Sequence, residues 1–119
     1  MGPLMIDELA RVTWERSLER QLSSLIRRYF PNLERTPEIW VVEECANGPA
    51  RLNETKGIIF VDQRVACFQS KTTKILILHE LIRYSLFLSR HPDPDNENSP
   101  EFQRELRRLI NMGAYAGLL

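Results

Sequence analysis

Ile75-Leu76-Ile77-Leu78-His79-Glu80-Leu81-Ile82-Arg83 is the stretch whose reading decides the fold. Its apolar residues are nearly continuous and run on through Leu86, Phe87 and Leu88. A helix apolar on most sides sits at the centre of its domain. His79 with Glu80 on such a helix is half of a metal-binding arrangement. In the complete form a second His follows four residues after the first, so that two imidazoles leave one helix face toward one cation. Position 83 is Arg, which stays protonated and has no lone pair to give a metal. The same line therefore displays a metal-site scaffold and a break in it.

Upstream, Gly57-Ile58-Ile59-Phe60-Val61-Asp62 reads as a strong buried strand, and Ala50-Arg51-Leu52-Asn53 as a short polar strand suited to a sheet edge. Glu54-Thr55-Lys56-Gly57 turns between them, so residues 50–62 are expected to form a hairpin. Glu38-Ile39-Trp40-Val41-Val42-Glu43 is a third strand, rich in β-branched and aromatic residues, and Asn47-Gly48-Pro49 breaks it. Residues 6–30 carry Ile6, Leu9, Ala10, Leu18, Leu22, Leu25, Ile26 and Tyr29 at helical spacing, and Pro31 ends that helix. Ser70 or Thr72 is the expected cap of the central helix. Downstream of it lies a polar loop, His91-Pro92-Asp93-Pro94-Asp95-Asn96-Glu97-Asn98. Ser99 followed by Pro100 starts a last helix over about 100–111. It turns Phe102, Leu106, Leu109 and Ile110 inward, and Gly113 stops it. The order α-β-β-β-α-α predicts an α+β fold, a three-stranded sheet packed with helices.

The bulk properties allow one domain over residues 1–119 with one modest core. Apolar residues make up 43% and charged residues 27%, with zero net formal charge, so nothing in the total points to nucleic acid or an anionic membrane. No stretch is apolar for long enough to span a bilayer, and the first residues lack a secretory pattern. Cys45 and Cys67 form no Cys-x-x-Cys pair and are expected to be buried reduced thiols. These properties predict a cytoplasmic protein.

With His-Glu on the helix after a β-hairpin, residues 6–111 resemble the SprT-like family, a minimal form of the zincin metallopeptidase fold. Members carry His-Glu-x-x-His on the central helix and a third zinc-binding His at the start of the next, usually in His-Gly-Pro-x-Phe. The matching string here is Asn98-Ser99-Pro100-Glu101-Phe102. The resemblance puts His79 on the first zinc ligand and Glu80 on the general base. It puts Arg83 and Asn98 on the second and third ligands, which neither residue can serve. It also implies that an extended substrate pairs with the edge strand Ala50, Arg51, Leu52 and Asn53. On the same alignment, regaining zinc takes Arg83→His together with Asn98→His.

Each of these residues also has a plainer role. His79 can bond a backbone carbonyl in the core while Glu80 pairs with Arg83 one turn on. The Arg83 guanidinium can occupy the vacated metal position, with Glu80 and Glu101 as partners, or run out to solvent. If Glu80 is its partner, Glu80→Ala is expected to destabilise more than Arg83→Met. His91, with Asp93, Asp95 or Glu97, can join His79 in an improvised metal site, or belong to a solvated loop. Arg104, Arg107 and Arg108 read as a solvated face, and Trp14 and Trp40 as core packing.

The leading expectation is a peptidase-like domain with a degenerate zinc site, binding a peptide or protein in the cleft and needing no cofactor. The alternatives are an active metal-dependent peptidase, with zinc as its cofactor, using His79, Glu80 and a non-standard ligand such as His91 or a loop carboxylate, and a structural subunit. Whether the chain is an enzyme stays open at this level, as do its substrate, partner and oligomeric state.

Overall fold

The computed structural model describes residues 8–45, 48–67 and 71–118. Along the chain come α1 (Glu8–Tyr29), β1 (Glu38–Val42), β2 (Ala50–Asn53), β3 (Ile58–Asp62), α2 (Gln63–Ala66), α3 (Lys71–Leu88) and α4 (Pro100–Asn111). The order is the expected one with the short α2 inserted, and the class is α+β. Ile6, Asn47 and Ser70, expected at a helix start, a turn and a cap, lie outside the described residues, and Thr72 lies inside α3.

β2 and β3 form the antiparallel hairpin, with Leu52 opposite Ile59. β1 pairs with the other side of β3 in parallel, with Ile39 also opposite Ile59. The sheet is therefore mixed, in the order β1-β3-β2, which leaves β2 at an edge. Alternation sends Ile39, Val41, Leu52, Ile59 and Val61 to one face, where α1 packs on β1 and α3 on β2. Leu18, Leu22 and Leu25 of α1, Leu78 and Leu81 of α3, and Phe102 and Leu109 of α4 complete the core. Each such side chain, fully buried, contributes about 1.5–3 kcal/mol. Trp14 packs on the rim of this core.

Trp40 does not pack there. It lies on the other face, 47% exposed, edge-on to Phe60 at 6.0 Å between ring centroids. Its indole N–H goes to Glu38 at 3.0 Å. Leu9 is likewise 77% exposed rather than inward. The reason is length: α1 runs about 33 Å at 1.5 Å per residue, while a five-residue strand covers about 17 Å, so the first turns overhang the sheet. Ile110, at the flank of the Phe102–Leu106–Leu109 stripe, is also exposed. Cys67 is exposed and Cys45 only partly buried, against the expectation of two buried thiols. No helix among the described residues is long and apolar enough to cross a membrane.

The helix ends place the 91–98 loop. Ser99 caps α4, its Oγ accepting from the Phe102 N–H at 3.2 Å, with Pro100 in the first turn. Gly113, at φ 86°, closes α4, with the Ala114 N–H returning to the Leu109 carbonyl at 2.9 Å. α3 ends in the same way without a glycine. Arg90 adopts φ 63°, and the His91 N–H reaches the Leu86 carbonyl at 2.9 Å. That turn sends the chain from the end of α3 into the 91–98 loop.

Asp62 ties the end of β3 to its surroundings. Its buried carboxylate caps α2 through the Arg64 N–H at 2.9 Å, accepts from the Arg64 guanidinium at 2.9 and 3.0 Å, and accepts from the Cys45 N–H at 3.2 Å. The Arg64 side chain above all, with the two backbone N–H groups, holds this carboxyl below the usual carboxylate range against its burial. A depressed folded pKa gives stability that is fully present above the unfolded value of about 3.9 and is lost as pH falls through the folded one. Asp62→Ala should therefore destabilise by about 2 kcal/mol at pH 7, and the gap should narrow below pH 4. Thermal melts of parent and variant at pH 7 and pH 3 test this. An equal gap at both would mean that the ionised carboxylate contributes nothing.

Candidate functional site

α3 carries Glu80 to the free edge of β2. In the hairpin, Asp62 N–H bonds the Pro49 carbonyl at 2.9 Å, which sets the alternation along β2 and turns the Leu52 N–H away from β3. That outward N–H donates to Glu80 Oε2 at 3.2 Å. Glu80 is only 4% exposed. Its other oxygen accepts from Arg83, one turn along α3, and the second terminal nitrogen of Arg83 bonds Glu97 in the 91–98 loop. Arg83 also lies over the Phe102 ring, 5.9 Å from its centroid. A continuous polar chain thus runs from the Leu52 amide through Glu80 and Arg83 to Glu97.

Leu52, Glu80 and Arg83 line a small cleft of about 200 Å³ with Ala50, Arg51 and Asp95. A larger neighbouring cleft of about 460 Å³ continues past Arg51, Leu52 and Asn53 to Glu54, Glu44 and Phe60. Burial pushes the Glu80 carboxyl up, and Arg83 and the Leu52 N–H pull against that rise. Glu54 is raised as well, by burial and by the adjoining Asp95 carboxylate.

Of the residues singled out in the sequence, the structure brings Ala50, Arg51, Leu52, Glu80 and Arg83 to one cleft, with Asn53 in the next. Arg83 is paired with Glu80, as expected, and its second partner is Glu97 rather than Glu101. Glu101 accepts instead from His91, Nε2 to Oε2 at 3.0 Å, and His91 Nδ1 receives the Asp93 N–H at 3.0 Å. Both ring nitrogens of His91 are thus occupied, one by the loop and one by α4. Asn98 is exposed, its N–H on Asn96 Oδ1 at 3.0 Å. His79 stands between Phe102 and Tyr115, with ring centroids at 6.1 and 5.9 Å. Burial holds its imidazole below the ordinary histidine range. Tyr115 is buried, its hydroxyl has no hydrogen-bond partner among the described residues, and burial pushes its phenol up to about 12.

The pairing of Glu97 with Arg83, and Tyr115 beside His79, were missed in the sequence. Glu97 was in view only as one of several loop acids beside His91, with no pattern to join it to Arg83. Tyr115 lies in a short apolar tail that carries no motif.

The side chains present do not suit a zinc ion. The position one helical turn beyond His79 is filled by a permanent cation committed to two carboxylates. Among the described residues no three His, Cys, Asp or Glu side chains gather as a ligand set. Comparison with family models, with curated proteins and with solved structures finds no match to this chain.

Proposed function

We propose that this chain is a SprT-like, minimal-zincin scaffold whose metal position has been taken over by Arg83, and that it binds an extended peptide or protein segment along β2. The observation that carries this is the bond from Glu80 Oε2 to the Leu52 N–H. It joins the His-Glu helix to the outward-facing backbone of an edge strand, in a cleft that Arg83 shares. An edge strand offers a row of backbone donors and acceptors to an incoming strand, and side-chain pockets beside it supply specificity. The larger cleft beside Leu52 and Asn53 is such a pocket. Arg83 meanwhile supplies the positive charge that the Glu80 carboxylate requires in a buried place.

Two measurements test this together. Elemental analysis of dialysed protein should find no stoichiometric zinc. About one zinc per chain would return the site to metal chemistry. A displayed library of random decapeptides should yield binders that perturb the Leu52 and Ala50 amides in NMR spectra. Binders that leave β2 untouched, or an empty selection, would remove the edge-strand role.

A further inference from the structure

We infer that the Glu80–Arg83–Glu97 chain is a latch that keeps the β2 edge shut, with Glu80 standing where the backbone carbonyl of an incoming strand must bond. This rests on the edge-strand function proposed above and adds its control.

The geometry gives three reasons. First, the Leu52 N–H is the outward donor at the middle of β2, and it is already satisfied by Glu80 Oε2 at 3.2 Å. A strand added to this edge needs that donor for its own carbonyl, so it cannot pair while Glu80 stays. Second, the part of the edge that Glu80 and Arg83 line is narrow. The cleft bounded by Ala50, Leu52, Glu80 and Arg83 holds about 200 Å³, below the roughly 300–1,000 Å³ of pockets that accept even small ligands. Third, Glu80 is not held by Leu52 alone. Arg83 grips its other oxygen, and Glu97 grips Arg83 from the loop.

That loop is a firm anchor. The Glu97 carbonyl accepts from Gln103 Nε2 at 2.6 Å, and His91 ties the other end of the loop to Glu101 at 3.0 Å. The latch therefore opens by side-chain movement, with the Glu97 carboxylate, which is half exposed, as its releasable end. Once Glu97 lets go, Arg83 can swing outward with Glu80 and free the Leu52 N–H.

The test uses the intact protein and Glu97→Gln, whose exposed position leaves the fold intact. Amide hydrogen exchange, followed by NMR, should be at least tenfold faster at Leu52 in Glu97→Gln, with Ile59 in the central strand unchanged. Decapeptides selected on the parent should bind Glu97→Gln at least fivefold more tightly. Exchange at Leu52 within twofold of the parent would overturn the latch, because Glu97 would then not control Glu80. Faster exchange with equal or weaker peptide affinity would overturn it as a gate while leaving the edge-strand function standing. Faster exchange with no peptide bound by either protein would remove that function, and with it anything for the latch to admit.

Discussion

Arg83→Met should lower the stability of the fold by about 3 kcal/mol near pH 8, and most of that loss should be absent near pH 4.5. The methionine side chain can follow the path of the arginine stem, so packing changes little. What changes is Glu80, a carboxylate 4% exposed that loses its cation. Burial already raises this carboxyl, and Arg83 is the largest influence opposing the rise. Without it, the folded pKa climbs further above the unfolded value of about 4.3. A carboxyl whose folded pKa is raised contributes stability that is fully present below the unfolded pKa and is lost as pH rises through the folded one. The variant should therefore approach the parent in acid and fall away from it toward pH 8.

Glu80→Ala should cost less, about 1–2 kcal/mol, for the unsatisfied Leu52 N–H, because Arg83 keeps Glu97. This is the reverse of the order expected from the sequence for a pairing of Arg83 with Glu80. The second carboxylate, at the exposed end of the guanidinium, is what inverts it. Chemical denaturation at pH 4.5 and pH 8 for the three proteins is the measurement. An Arg83→Met deficit that is the same at both pH values would mean that Glu80 is not left charged and buried, and that Arg83 does not hold its charge.

Periodicity, the Pro31 and Gly113 stops and the Ser99–Pro100 start were legible because each is a local backbone rule, acting over a few residues. The hairpin and its edge strand were legible for the same reason. What escaped was non-local or too short. Four residues of α2 cannot show a period. Arg90 closes α3 in a left-handed conformation that a sequence reader looks for at glycine. Trp40 follows strict strand alternation with Ile39 and Val41, yet alternation does not say which face the helices will cover. The site divides in the same way. Glu80 with Arg83 is an i,i+3 pair, readable from spacing. Glu97 is fourteen residues from Arg83, and only the turn at Arg90 and the ties of the 91–98 loop bring it back to α3.

Arg83→His alone should confer zinc binding that the parent is not expected to show. The sequence alignment asked for Asn98→His as well, since it placed the third donor at position 98. In the structure the loop group that meets Arg83 is the Glu97 carboxylate, and it also acts on His79, where it raises the imidazole against the lowering by burial. Replacing the guanidinium by an imidazole removes the resident cation and leaves a carboxylate without its partner. His79, the new imidazole and Glu97 then make a two-His, one-carboxylate set, which suffices for zinc with an open position. Zinc at a hundred times its Kd should stabilise this variant by about 2.7 kcal/mol, read as a shift in melting temperature absent from the parent. Adding Glu97→Gln should abolish the shift. Zinc binding that appears only when Asn98→His is added would give the third position to residue 98. Titration calorimetry without heat for either variant, both folded, would mean that position 83 and the loop do not converge with His79. The proposed minimal-zincin scaffold would then fail at its centre.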